Sequence, residues 1–117
     1  MDNMKKLQII NIGSLKFDDR TNLIPVVVQD ITNKEVLMVA YATKDAVEKT
    51  LTSGYANYWS RSRKEPWMKG EISGNTQSVK MILVDCDYDT LLYLVEQKGN
   101  ACHTGKKTCF HNKLDKL

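Results

Sequence analysis

The densest chemistry in the chain is Asp85-Cys86-Asp87-Tyr88-Asp89, set directly after an apolar run. In extended backbone the side chains alternate faces, with about 7 Å between residues on one face. Asp85, Asp87 and Asp89 are then expected on one side of the strand end and Cys86 on the other. Carboxylate oxygens suit Mg²⁺ and thiolate sulfur suits Zn²⁺, so one pentapeptide could serve two metal sites. A solvated turn at a hairpin end has the same composition. Three adjacent carboxylates repel one another, however, and a bound cation removes that cost.

Two further cysteines lie in Ala101-Cys102-His103-Thr104-Gly105-Lys106-Lys107-Thr108-Cys109. Their spacing misses the close Cys pair of structural zinc modules. Cys86, Cys102 and Cys109 could still give zinc three ligands and leave the fourth position open, as catalytic sites do. Three buried thiols packing as small hydrophobes is the other reading of the same residues. The cysteines could meet within one subunit or across a dimer. His103, beside a candidate ligand, could be a general acid/base, a further ligand or an ordinary loop histidine. His111 stands in polar company and receives no role.

A basic segment supplies the opposite charge. Ser60-Arg61-Ser62-Arg63 is followed by Trp67, Lys69-Gly70 and Ser73-Gly74-Asn75. Guanidinium forks match phosphate oxygens, and the hydroxyls of Ser60, Ser62 and Ser73 and the amide at Gly74 add neutral donors. The spacing of a Walker phosphate loop is absent. An isolated segment of this kind is commonly just a solvated loop. Trp67 could stack on a base, whereas Trp59, on a strand, is expected in the core.

The elements that must hold these groups are legible in outline. Residues 23–29 and 36–40 read as two strands of a hairpin about a Thr32-Asn33-Lys34 turn, with Pro25 marking an edge or an irregular start. Residues 43–53 read as the main helix, with Thr43 as N-cap, Asp45 in the first turn, Ala46, Val47, Thr50 and Leu51 on one face, and Gly54 as the stop. Residues 56–60 are strand-like, and 61–75 read as a long polar loop. Residues 79–84 and 91–97 read as a second hairpin around the acidic turn, and 99–105 as a further loop. The first six residues are expected to fray. The sum is a small α+β fold, mainly β, with antiparallel pairing.

The 117 residues suit one domain spanning 1–117. A formal charge of +3 is too mild for a nucleic-acid interface by itself. No apolar run approaches the ~20 residues of a membrane span, and no signal-peptide block is visible, so a cytoplasmic location is expected. Three cysteines, an odd number, argue against a disulfide framework.

Four stretches, EVLMVAY (35–41), YWSRSRKEPWMKGEISGNTQ (58–77), VDCDYD (84–89) and ACHTGKKTCF (101–110), together resemble the phosphoribosyl-AMP cyclohydrolase family over residues about 17–110. The chain departs from common family usage at Thr108 (often Ser), Ala42-Thr43 (often Met-Asn) and Asn22 (often Gly). The resemblance implies a half-barrel-like antiparallel or mixed sheet with one main helix, in an intertwined homodimer; the pyrophosphohydrolase domain fused C-terminally in some relatives is not expected in a chain of this length. It implies hydrolysis of the N1–C6 bond of phosphoribosyl-AMP to the formimino-aminoimidazole carboxamide ribotide intermediate of histidine biosynthesis. Zinc on Cys86 of one subunit with Cys102 and Cys109 of the other would activate water. Asp85, Asp87 and Asp89 would hold Mg²⁺, His103 would shuttle the proton, and Arg61, Arg63 and Lys69 would meet the two phosphates. A non-catalytic zinc module for RNA is one alternative. A nucleoside deaminase is another, but its H-x-E and P-C-x-x-C patterns are missing.

Overall fold

The computed structural model describes residues 7–116. The expected fraying of the first six residues lies outside that range.

The first hairpin joins β1 (Ile24–Asp30) to β2 (Val36–Ala42). Its turn is fixed as the Asp/Asn/Thr composition predicts: Asp30 Oδ1 accepts the N–H groups of Thr32 and Asn33, and Lys34 takes φ 68°. Ile24, Val26 and Val28 alternate onto the buried face. Thr43 then caps helix α1 (Lys44–Ser53) by accepting from Ala46 N, and left-handed Gly54 ends it. Ala46, Val47 and Thr50 are buried, as expected of one helical face, but Leu51 is 60% exposed. The buried stripe is narrower than the sequence pattern implied, and α1 packs chiefly on the strand that follows it, β3 (Asn57–Ser60).

β3 (Asn57–Ser60) pairs with β4 (Glu65–Met68) in a two-stranded antiparallel hairpin. Residues 61–75 are therefore not one long loop. The segment hid this strand because Pro66 and its charged neighbours carry little β-propensity, and a two-stranded ribbon tolerates proline. β5 (Gln77–Val84) and β6 (Leu91–Gln97) form the last hairpin, β5 starting two residues earlier than expected.

The main sheet runs β2-β1-β6-β5. All neighbours are antiparallel except β1 and β6, which pair in parallel from Val26↔Leu91 to Asp30↔Val95. The sheet is thus mixed and open. Pro25 is not on an edge strand: β1 is central, but pairing with β6 begins only at Val26, so the missing N–H falls at an irregular start. The core lies between this sheet and α1 with the β3–β4 ribbon. Tyr58 and Tyr93, both wholly buried, stack there with centroids 5.9 Å apart. Gln77, also fully buried, accepts from Tyr58 Oη and donates to Gln97 Oε1 at 2.9 Å and Met38 Sδ at 3.3 Å. Among the described residues no helix is long and apolar enough to cross a membrane.

Candidate active site

A cleft of about 480 Å³ opens between β2, the β3–β4 ribbon and the loop that follows β6. Met38 to Tyr41 form its floor. The ribbon contributes Trp59, Ser60, Arg61, Ser62, Arg63, Trp67 and Lys69, and the loop contributes Ala101, His103 and Cys109. Eight of the residues singled out by type and spacing therefore share one cavity.

Local structure explains their presentation. Ser60 Oγ accepts Arg63 N at 3.2 Å and Lys64 takes φ 55°, which curls residues 60–64 into a tight turn and splays both arginines outward. Arg63 pairs loosely with Glu65 at 3.7 Å in solvent, a contact worth little. Arg61 Cζ lies 3.9 Å from the centroid of the Tyr41 ring. Tyr58 is the ribbon's core residue, and its ring stands 5.1 Å from that of Trp67. Strand alternation turns Trp59 to the other face, so it is half-buried and lines the cleft instead of entering the core. Lys69 is almost fully buried, and desolvation pulls its pKa down against the raising influence of Cys109 and Cys102.

The 99–111 loop is tied to β2. Cys109 N donates to Leu37 O at 2.7 Å, and Thr108 Oγ1 to Val36 O at 2.8 Å. Serine at position 108 would supply the same hydroxyl. Cys102 N bonds Lys106 O and Ala101 N bonds Lys107 O, folding the loop back on itself. The thiols of Cys102 and Cys109 are neighbours and titrate against each other. The Thr104 hydroxyl, 3.0 Å from Cys102 Sγ, and its backbone N–H pull Cys102 down to about 6, with help from His111, whose Nε2 is 3.8 Å away. Partial desolvation and the Cys102 charge push Cys109 up. A pair that prefers one negative charge to two is a pair a cation would complete.

The acidic residues stand elsewhere. Asp85, Asp87 and Asp89 present carboxylate oxygens within 4.8 Å of one another in the turn between β5 and β6. They converge through the turn and not through strand alternation: Asp85 Oδ1 accepts Asp89 N and Thr90 N, and Tyr88 takes φ 67°. Burial pushes Asp85 up but these donors outweigh it, so its pKa falls. Asp89, then desolvation and Asp85, raise that of Asp87. Cys86 is exposed in the same turn. The seven residues of β6 separate this turn from the 99–111 loop, roughly 20 Å of strand. Within one chain Cys86 does not join Cys102 and Cys109. Ser73 and Gly74 also lie outside the cleft, on an exposed turn closed by Gly74 N to Gly70 O.

Two residues at the site escaped the sequence reading. Tyr41 stands just beyond the 36–40 strand of the sequence reading, and nothing in its spacing marks it. His111 follows Cys109 at the i+2 spacing that places side chains on one side of extended backbone, and that spacing was the available signal.

Cationic walls, neutral donors, an aromatic face and the Cys109 thiol in one open cleft, with buried Cys102 behind it, define a protein built to hold and react with a small anionic molecule. The sequence model described as phosphoribosyl-AMP cyclohydrolase matches residues 38–111. Proteins named phosphoribosyl-AMP cyclohydrolase are similar along most of their length. That of Archaeoglobus fulgidus is 60% identical over 101 residues, covering 86% of this chain and 93% of the relative. That of Halobacterium salinarum is 59% identical over 103 residues, covering 88% and 80%. That of Methanosarcina mazei is 51% identical over 107 residues, covering 92% and 88%. The chain belongs to the phosphoribosyl-AMP cyclohydrolase family.

Proposed function

We propose that this chain hydrolyses the N1–C6 bond of 1-(5-phosphoribosyl)-AMP, opening the purine ring to the imidazole carboxamide intermediate of histidine biosynthesis. The observation that carries this reading is the single cleft shared by Arg61, Arg63, Lys69, Trp67, His103 and Cys109. The substrate has two phosphates and an adenine made electron-poor at C6 by substitution on N1. Arg61 and Arg63 grip phosphate oxygens at the mouth, with the Ser60 and Ser62 hydroxyls as neutral donors. Trp67 walls the purine. Lys69, deep and desolvated, adds positive potential toward the thiol end, where an ionised group is felt most strongly. His103, exposed at the rim, takes a proton from the attacking water and returns one to N1 as the C6–N1 bond breaks. Ser73 and Gly74 shape the turn after Lys69 and do not line the cleft.

The donor sets fit the metals that the family resemblance implies. Cys102 and Cys109 would hold zinc, with Cys86 supplied by a second copy because this chain's own Cys86 lies at the far end of β6. The Asp85, Asp87 and Asp89 oxygens would hold Mg²⁺, whose charge would favour the ionised form of Asp87, which its hydrogen bond with Asp89, desolvation and the neighbouring carboxylates now disfavour. Held by these residues, zinc would supply the Lewis acidity that makes water nucleophilic near neutral pH.

The test is incubation of metal-loaded protein with phosphoribosyl-AMP, followed by ultraviolet absorbance and ammonia determination. Ring opening without ammonia is expected. Free ammonia, or no turnover at any Zn²⁺ and Mg²⁺ concentration, refutes the reading. Cys102→Ser is expected to lose both zinc and turnover while staying folded, and zinc content unchanged in that variant removes the thiols from the site.

A further inference from the structure

Arg61 is an exposed residue in a tight turn, yet its guanidinium is not loose. Its Cζ sits over the Tyr41 ring at 3.9 Å from the centroid, and both residues line the cleft. Among the described residues no carboxylate pairs with Arg61, whereas neighbouring Arg63 has Glu65. The difference matters for an anion site. A carboxylate partner would fix an arginine but occupy its N–H donors and cancel its charge. An aromatic face fixes it through the ring quadrupole and leaves the charge and the N–H edges available. A free arginine side chain carries about 2 kcal/mol of rotamer entropy that a phosphate contact must otherwise overcome. Tyr41 is itself well held, half-buried on β2 and paired in register with Pro25 of the central strand.

We propose that Tyr41 is a positioning residue for substrate: its ring pre-sets the Arg61 guanidinium so that the N–H donors meet a substrate phosphate at the mouth of the cleft. This rests on the assignment of Arg61 to phosphate made above. Tyr41 does not touch the reacting atoms, so its removal acts on substrate capture and not on bond cleavage.

The test is steady-state kinetics on the metal-loaded protein with phosphoribosyl-AMP, comparing wild type with Arg61→Ala, Tyr41→Leu, Tyr41→Phe and the double variant Tyr41→Leu/Arg61→Ala. Tyr41→Leu is expected to raise KM about 3- to 10-fold, the range of a partly exposed cation–π contact, with kcat within about twofold. Tyr41→Phe keeps the ring and is expected to return KM to within about twofold of wild type. In the double variant the Tyr41 change adds nothing further to the KM of Arg61→Ala. Tyr41→Val, β-branched and suited to a strand, replaces Tyr41→Leu if the latter melts early. If Arg61→Ala raises KM but the truncations at Tyr41 do not, or if the two effects multiply, the positioning role is overturned and the phosphate assignment stands. If Arg61→Ala leaves KM unchanged, both fall.

Discussion

Gln77→Leu is expected to destabilise the protein through a group it leaves behind. Gln77 is wholly buried and accepts the Tyr58 hydroxyl, which has no water to turn to because Tyr58 is also wholly buried. Leucine fills nearly the same volume, so the packing loss is small and the cost is the orphaned O–H, about 1–3 kcal/mol. The Gln97 oxygen also loses its donor, but Gln97 reaches the surface and water can replace the bond. Tyr58→Phe strands the Gln77 carbonyl instead, at a similar cost of about 1–3 kcal/mol. The double variant Tyr58→Phe/Gln77→Leu strands neither group. Its destabilisation is therefore expected to fall well below the sum of the singles, with a coupling of about 2 kcal/mol. Urea unfolding at one fixed protein concentration measures this, and each 1 kcal/mol also appears as about 4 °C in Tm. Additive single effects, or a neutral Gln77→Leu, would refute the claim that Tyr58 and Gln77 satisfy one another in the core.

Four further outcomes follow from other parts of the structure. Alkylation of Cys102 in chelated protein is expected to have a midpoint near pH 6, moving up in Thr104→Ala; a midpoint in the ordinary thiol range with Thr104 present would contradict the hydrogen-bond argument. Because the folded Cys102 pKa lies below its unfolded value, the thiolate's stabilisation of the metal-free protein is present above the unfolded pKa and is lost as pH falls through about 6, which urea midpoints against pH will show. Gly70→Ala is expected to lower stability by about 2 kcal/mol or more and to disturb Lys69, since φ is +80° and an added Cβ would stand 2.4 Å from Asn75 C and Thr76 N; an unchanged melting curve disproves the clash. Asp87→Asn is expected to shift the Mg²⁺ titration of activity to higher concentration, and an unmoved titration removes that carboxylate from the ion's ligands.

Where local pattern and tertiary demand agreed, the fold was legible. The Thr43 cap, the Gly54 stop, the Asp30 turn and the hairpin around the acidic cluster each need only short-range chemistry. β4 was not legible, because Pro66 and its charged neighbours read as loop until β3 is there to pair with them. The parallel β1–β6 seam was hidden for a different reason: nothing local in two apolar strands states which will adjoin which. Asn22, where the sequence reading expected glycine as the commoner residue, takes φ 60°, and asparagine is among the few residues that tolerate this glycine-like conformation. Residue type alone singled out the arginines, His103 and Cys109 that line one cleft, whereas Cys86, read with the other two cysteines, stands in a different turn. Tyr41 was not legible, because its part depends on a contact between β2 and the turn after β3 that residue spacing does not encode.

The seam between β1 and β6 also bears on how the molecule is assembled. Val26 meets Leu91 across more than half the chain, while both flanking hairpins can zip from neighbouring residues. The two halves are thus expected to form early and dock late, and docking sets the folding rate. Until it happens each half carries a bare central strand, which another molecule's half can satisfy as well as its own. Refolding at high protein concentration is therefore the condition under which exchanged, interlocked species accumulate, and rapid dilution is the condition that avoids them.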